Sequence, residues 1–391
     1  MSSLADNARE RLTQLTRVGL LRAPLTVGSA QGPVVTIDGR ALLCLCSNNY
    51  LGFADDPEIT AAMQRSLERD GAGAGASRLI SGTMTVHRDA ERALAAMVRL
   101  PSALLFTSGY AANVGALQAL FGAGDFIFSD ALNHASLIDG CRLSRASINV
   151  YPHGDLEALE RLLGARPRGT RAVIVTESVF SMDGDLADLV ALRALADAHD
   201  AALFVDEAHA LGVFGPGGAG LSAALGVVPD LLVGTLGKAF GAAGAFVAGD
   251  VWVVALIENR ARSYVFSTAP APALAAAAVT ASALVQRADE RRATLLRHAR
   301  RLRAALRALS YDVLDGESPI VPVLLGEPAR AVAVARALRE HGCFVQAIRP
   351  PTVPRGTSRL RVVPMATHSD AQIERAIEAF AAVRSALKEH A

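Results

Sequence analysis

The octapeptide GTLGKAFG, Gly234 to Gly241, sets a lysine among glycines. Of the 39 lysines and arginines in the chain only Lys238 and Lys388 are lysine, leaving 37 arginines. Lys388 lies three residues from the C-terminus, so Lys238 is the one lysine expected inside the folded body. Arginine stays protonated in proteins, whereas a lysine amine can lose its proton and act as nucleophile or base. Arginine could make a salt bridge or a phosphate contact; it could not make a Schiff base. The lysine therefore points to chemistry that needs a removable proton.

Other chemistry-bearing residues recur after short apolar runs. Ser108-Gly109-Tyr110 follow "ALLF", and Asn133, His134 and Ser136 follow "FIF". Glu177, Ser181 and Asp183 follow "AVIVT", Asp206 and His209 end "ALFVDEAH", and Thr235 precedes Lys238. Each has a plain structural reading. Asp206 or His209 could cap a helix, His134 could sit hydrogen-bonded in a turn, Asp183-Gly184 reads as a turn, and Glu177 could brace a loop. Their recurrence beside the internal lysine favours a site.

Three chemistries can be tested against this set. A phosphate loop of the form GxxxxGK[ST] fails twice, because Leu232 stands five before Gly237 and Ala239 follows the lysine. A metal centre would borrow Asp206, His209 and His134, but no HxxxH or CxxC pair anchors it, so none is expected. A lysine Schiff base with pyridoxal 5'-phosphate needs a lysine, an anion-holding turn, a carboxylate to keep the ring nitrogen protonated, and a flat group against the ring. Lys238, Ser108-Gly109-Tyr110, Asp206 and His134 supply these parts. The alternative of another class is a cofactor-free protein whose lysine contacts a phosphorylated ligand.

The elements that must position these residues read as alternating strands and helices. Runs at 103–106, 126–128, 172–176, 202–206, 231–235 and 244–249 are expected as buried strands, with Ala/Leu-rich helices between most of them. This predicts an α/β protein with a mostly parallel sheet covered on both faces, its ligand beyond the carboxyl ends of the strands. Residues 1–45 read as an N-terminal arm, with a helix and a strand pair turning at Asp38-Gly39. Residues 46–288 read as the large domain and 289–391 as a smaller α/β domain, the boundary falling inside one long helical region from Ala271 to Leu309.

Composition narrows the class. The chain has 391 residues, of which 51% are hydrophobic and 20% charged, enough for a large core and more than one domain. A net charge of +1 argues against a nucleic-acid or membrane-surface binder. Cys44, Cys46, Cys141 and Cys343 show no disulfide or metal spacing and read as buried small hydrophobes. The charged opening segment lacks a signal-peptide core, and the Ala-rich run 269–285 carries Pro270, Pro272, Thr280 and Ser282, so it reads as a buried helix. A cytoplasmic enzyme is expected.

The motifs together resemble the α-oxoamine synthases, fold-type I pyridoxal-phosphate enzymes that condense a small amino acid with an acyl thioester. The likeness runs in order through "SNNYLGF", "GAGASRLISGT", "SGYAAN", "NHASLIDG", "TESVFSMDGD", "VDEAHALGVFGPGGAG", "GTLGKAFG", "FSTAPAPA" and "AIRPPTVPRGTSRLRV". It implies an aspartate aminotransferase-like large domain with a seven-stranded type of sheet. It implies that Lys238 carries the Schiff base and moves protons, that Asp206 pairs with the ring nitrogen, that His209 bonds the ring hydroxyl, and that His134 stacks on the ring. Ser108, Gly109, Tyr110 and Thr235 would meet the phosphate, and Ser181 the cofactor edge. Thr268 would reach the cofactor of the neighbouring subunit, because the family's sites lie at a homodimer interface. Asn48 and Arg361 would hold the amino-acid carboxylate, and Arg22 and Thr352 the acyl substrate, carried on coenzyme A or an acyl carrier protein. "RPPTVPRGTSRLR" most resembles the biotin-pathway branch, which takes L-alanine and a pimeloyl thioester, rather than the glycine-using branches. "VVPMATH" departs from the family's more usual Thr/Ala-rich run.

Overall fold

A computed structural model describes residues 3–389. The strands Ser102–Phe106, Phe126–Asp130, Ser147–Tyr151, Ala172–Glu177, Ala202–Asp206, Leu231–Thr235 and Ala245–Gly249 form one seven-stranded sheet. Across it the order is 102–106, 245–249, 231–235, 202–206, 172–177, 126–130, 147–151. Ala245–Gly249 is antiparallel to both its neighbours, and the other pairs are parallel. The expected α/β architecture with a mostly parallel sheet is therefore observed. All six residues of Ala172–Glu177 are buried, as a central strand covered on both faces requires. Ser147–Tyr151 was not among the expected strands. It lies at the sheet edge, with Ile148 and Val150 exposed, so its sequence lacks the continuous apolar run of its neighbours.

The chain divides into two compact units. One comprises Asn48–Ser181 and Asp185–Ala293 and contains the large sheet. The other takes in the chain through Ser47, Met182–Gly184, and the chain from Thr294 onward. In that second unit Arg40–Cys44 pairs antiparallel with Val34–Ile37 across Asp38 and Gly39, whose φ values of 50° and 73° close a tight hairpin turn. The same strand pairs parallel with Cys343–Phe344, so the segments expected as an arm and as a C-terminal domain fall in one unit. A four-stranded sheet, ordered Asp312–Val313, Val321–Gly326, Ser358–Val362, Ala347–Ile348, packs around Leu302, Leu306, Leu360 and Phe380. Asp183 pairs with Arg359.

The stretch expected as one helical region from Ala271 to Leu309 is two helices, Pro272–Gln286 and Asp289–Ala308. The Val285 carbonyl at the end of the first accepts from Ala288 N–H at 3.1 Å and from Arg292 Nη1 at 2.6 Å, which satisfies the break. The Ala-rich helix is buried along most of its length, as expected. Among the described residues no helix is long and apolar enough to cross a membrane.

At the sheet's carboxyl edge His153 is held between two acids. Its Nδ1 lies 2.9 Å from Asp130 Oδ1 and its Nε2 2.8 Å from Asp185 Oδ2, and its ring stands edge-on to Phe180. Hydrogen bonds to Asp130 and Asp185 push its pKa up to about 10. A folded pKa above the unfolded value stabilises fully below about 6.5, and that contribution is lost as pH rises toward 10. Unfolding measured across this range should show wild-type stability declining more steeply than that of His153→Gln, with the two converging near pH 10. Parallel curves would remove His153 as the source.

Candidate active site

Lys238 lies at the tip of the turn joining two antiparallel strands, Leu231–Thr235 and Ala245–Gly249. Leu236 N–H donates to Gly244 O, Ala242 N–H to Leu236 O, and Gly241 N–H to Lys238 O, at 2.9–3.0 Å. Two glycines of the motif are demanded by the protein itself. A Cβ on Gly234 would overlap Leu211 and the Phe246 ring, and one on Gly241, which has φ +65°, would overlap the Phe53 backbone. At Gly237, beside the lysine, a side chain would meet only ordinary contacts.

The amine of Lys238 is 2.7 Å from His209 Nε2, and His209 Nδ1 is 2.6 Å from the Tyr50 hydroxyl. His209 and Tyr50 are buried. One imidazole thus links a lysine amine to a phenol. When the ammonium donates to Nε2, the Nδ1–H donates to Tyr50; when the amine is neutral, the direction can reverse.

Asp206 ends the central strand Ala202–Asp206, and it is buried. Asn113 Nδ2 donates to its Oδ2 at 2.7 Å, and Ala208 N–H to its Oδ1 at 2.9 Å. The same Asn113 amide group donates to Ser136 Oγ at 2.9 Å, which lies 2.7 Å from His134 Nδ1. His134 caps the helix Ala135–Ser144, so its ring is fixed by its backbone and by Ser136. Burial pushes its pKa down, Asp206 opposes and Lys238 adds to the lowering, so the ring stays neutral. Neighbouring Glu177 is also buried, in register with Asp206. Burial first, then the charge of Asp206, push its pKa up to about 8.

Ser108 caps the helix Gly109–Leu120, its Oγ accepting from Ala111 N–H at 3.1 Å. The helix start has open space where a Gly109 side chain would stand, leaving the Gly109 and Tyr110 N–H groups of the first turn available to an anion. Tyr110 is exposed and its hydroxyl donates to Asp139. Thr235 Oγ1 accepts from Gly237 N–H and donates to Gly244 O, both at 3.3 Å. Ser181 is buried and Asn48 half-buried. Thr268 is exposed at an antiparallel bridge to Ser77.

Arg22, Thr352 and Arg361 belong to the other unit. There Arg22 Nη2 donates to Thr352 Oγ1 at 2.9 Å, which brings together the pair expected at the acyl substrate. Arg361 is buried on the strand Ser358–Val362, close enough to Cys46 to act on its thiol electrostatically.

Two side chains that hold Asp206 and His209 were absent from the expected site. Asn113 stands four residues after Gly109, one helical turn along, and that spacing was its available signal. Tyr50 lies within "SNNYLGF", nearly two hundred residues before Lys238, and no spacing rule links it to His209.

The donor from Asn113 can be tested without any ligand. Asn113→Ala should cost about 1–3 kcal/mol of unfolding free energy, the usual loss for a buried hydrogen bond to a charged group. Asn113→Asp sets a second carboxylate against Asp206, so its deficit should be larger at pH 7.5 and shrink toward pH 4.5. Urea unfolding of Asn113→Asp that matches wild type at pH 7.5 would contradict the contact.

Residues 40–380 match the family model for aminotransferase class I and II. Over 374 residues the chain is 52% identical to an 8-amino-7-oxononanoate synthase of Anaeromyxobacter dehalogenans strain 2CP-1, covering 95% of this chain and 94% of that one. A serine palmitoyltransferase solved with PLP superposes with a TM-score of 0.94 at 33% identity, covering 99% of this chain and all of that one. The 8-amino-7-oxononanoate synthase structure from Francisella tularensis gives a TM-score of 0.77 at 26% identity, covering 90% and 99%. The chain belongs to the class I and II aminotransferase family, in the α-oxoamine synthase branch that its motifs resemble.

Proposed function

We propose that the chain catalyses the pyridoxal-phosphate-dependent, decarboxylative condensation of L-alanine with a pimeloyl thioester to 8-amino-7-oxononanoate, the step of biotin synthesis. The observation that carries this reading is the Lys238–His209–Tyr50 line beside a donor-held Asp206, in a chain sharing half its residues with a synthase of that name. The residues present fit the cofactor: a half-buried lysine amine, a helix start with free N–H groups, and a buried carboxylate. When bound, the cofactor supplies an electron sink in Schiff-base linkage to a lysine or to the substrate amine.

The protein's own residues would do the rest. Asp206, fixed by Asn113 and Ala208, would pair with the cofactor's ring nitrogen and support its protonated form. His134 presents a neutral ring face. The N–H groups at Ser108, Gly109 and Tyr110, with Thr235, receive the phosphate, and Ser181 and His209 meet the ring edge. Lys238 Nζ takes the proton from the alanine Cα and later returns one, with His209 as its neighbour. Arg361 and Asn48 grip the alanine carboxylate until it leaves as CO2, orienting the bond to be broken. Arg22 and Thr352 receive the acyl chain, whose thioester releases its thiol, from coenzyme A or an acyl carrier protein.

Exposed Leu79, Ile80 and Phe266, close in sequence to Ser77 and Thr268, support assembly as a homodimer with Thr268 reaching the second copy's site. Free Cys44, Cys46, Cys141 and Cys343 support a reducing, cytoplasmic setting.

Lys238→Ala should abolish the visible absorption of protein purified with pyridoxal phosphate; a borohydride-reducible colour in that variant would move the linkage elsewhere. Asp206→Asn should keep the cofactor and turn over at least about 100-fold more slowly, equivalent to roughly 3 kcal/mol of lost barrier reduction. Near-normal turnover would end the ring-nitrogen assignment. Thiol release followed with alanine or glycine and a series of acyl thioesters tests the substrate, and a protein that stays colourless with pyridoxal phosphate supplied supports the phosphate-ligand alternative.

A further inference from the structure

Glu177 ends the strand beside Asp206, in direct register with it, and both side chains are buried. Their hydrogen-bond supply differs. Each oxygen of Asp206 takes a donor, Asn113 Nδ2 on one and Ala208 N–H on the other. Glu177 Oε1 is buried with no hydrogen-bond partner. Glu207, buried on the same edge, shows what a provisioned carboxylate looks like, accepting from Leu221 N–H, Ser222 N–H and Oγ, and Ser178 Oγ. A bare carboxylate oxygen removed from water is strongly disfavoured when ionised, and two carboxylates side by side in such surroundings do not both ionise. Donor supply separates the two, since Glu177 leaves an oxygen bare and Asp206 does not.

We propose that Glu177 is the protonated member of a carboxylic acid–carboxylate pair with Asp206, a positioning residue that leaves Asp206 as the single anion of the pair. This rests on the reading of Asp206 as the partner of the cofactor's ring nitrogen. The consequence falls on Lys238. A second anion at this edge would hold the lysine as ammonium, whereas a neutral Glu177 leaves the amine free to lose its proton. The charged and polar groups acting on Glu177 are Asp206 and Asp130, which favour its proton, and Lys238 and the His134 backbone N–H, which oppose it. The net upward shift agrees with the geometry.

Glu177→Gln copies the neutral acid in shape and cannot ionise. In cofactor-free protein, wild-type Glu177 is neutral in both states below its unfolded pKa and ionises only when unfolded between that value and about 8. The glutamine variant should therefore gain on wild type as pH rises from about 4.5 to 8, by about 2 °C or more in Tm at the upper end. A pH-independent difference, a loss at pH 8, or a variant that fails to fold overturns the proposal. In the loaded enzyme the pH midpoint of the visible absorption should stay within about 0.3 units of wild type, and a shift of about one unit or more overturns it. If the protein takes up no pyridoxal phosphate, the functional reading fails, while the cofactor-free measurement still decides Glu177.

Discussion

The structure around the site depends on how one buried carboxylate, Asp206 at the end of the central strand, is supplied with hydrogen-bond donors. A carboxylate removed from water needs donors on its oxygens. The sheet places it beside a second acid, Glu177, which makes the problem sharper. The solution is directional: Asn113 reaches across from the helix Gly109–Leu120 and the chain turns so that Ala208 N–H meets the other oxygen. Asn113 also donates to Ser136, which fixes His134. One amide group therefore holds both the carboxylate and the flat ring that the proposed cofactor would use.

A second constraint concerns the lysine. Its turn joins antiparallel strands, and it closes only because Gly234 and Gly241 lack side chains where Leu211, Phe246 and Phe53 already stand. Those glycines set the path of the turn, and the path delivers the amine to His209. His209 in turn is held by Tyr50, a fully buried side chain. The flexible side chain with the removable proton is thus anchored to a rigid imidazole, which restricts where the amine can reach.

Much of this was legible in the residues. Continuous apolar runs marked the sheet's inner strands because a strand covered on both faces cannot alternate with polar residues. Polar groups just past those runs marked the site, because parallel strands present their carboxyl ends on one edge. The edge strand Ser147–Tyr151 escaped, since half of its surface faces solvent and its pattern is correspondingly mixed. The break between Pro272–Gln286 and Asp289–Ala308 escaped because no glycine or proline marks it; it is closed by the side chain of Arg292. The pairing of Arg40–Cys44 with Cys343–Phe344 joins segments about three hundred residues apart, which no local pattern encodes.

By itself the sequence determined the α/β class, the strand ends that carry polar groups, and the singular lysine, because burial periodicity and residue chemistry are local properties. Which acid of the Glu177–Asp206 pair has a donor on each oxygen, which imidazole meets the lysine, and which glycines the packing demands were decided only by tertiary structure. Those properties depend on distances between elements far apart in the chain, because a donor such as Asn113 meets its carboxylate only when folding brings the two elements together.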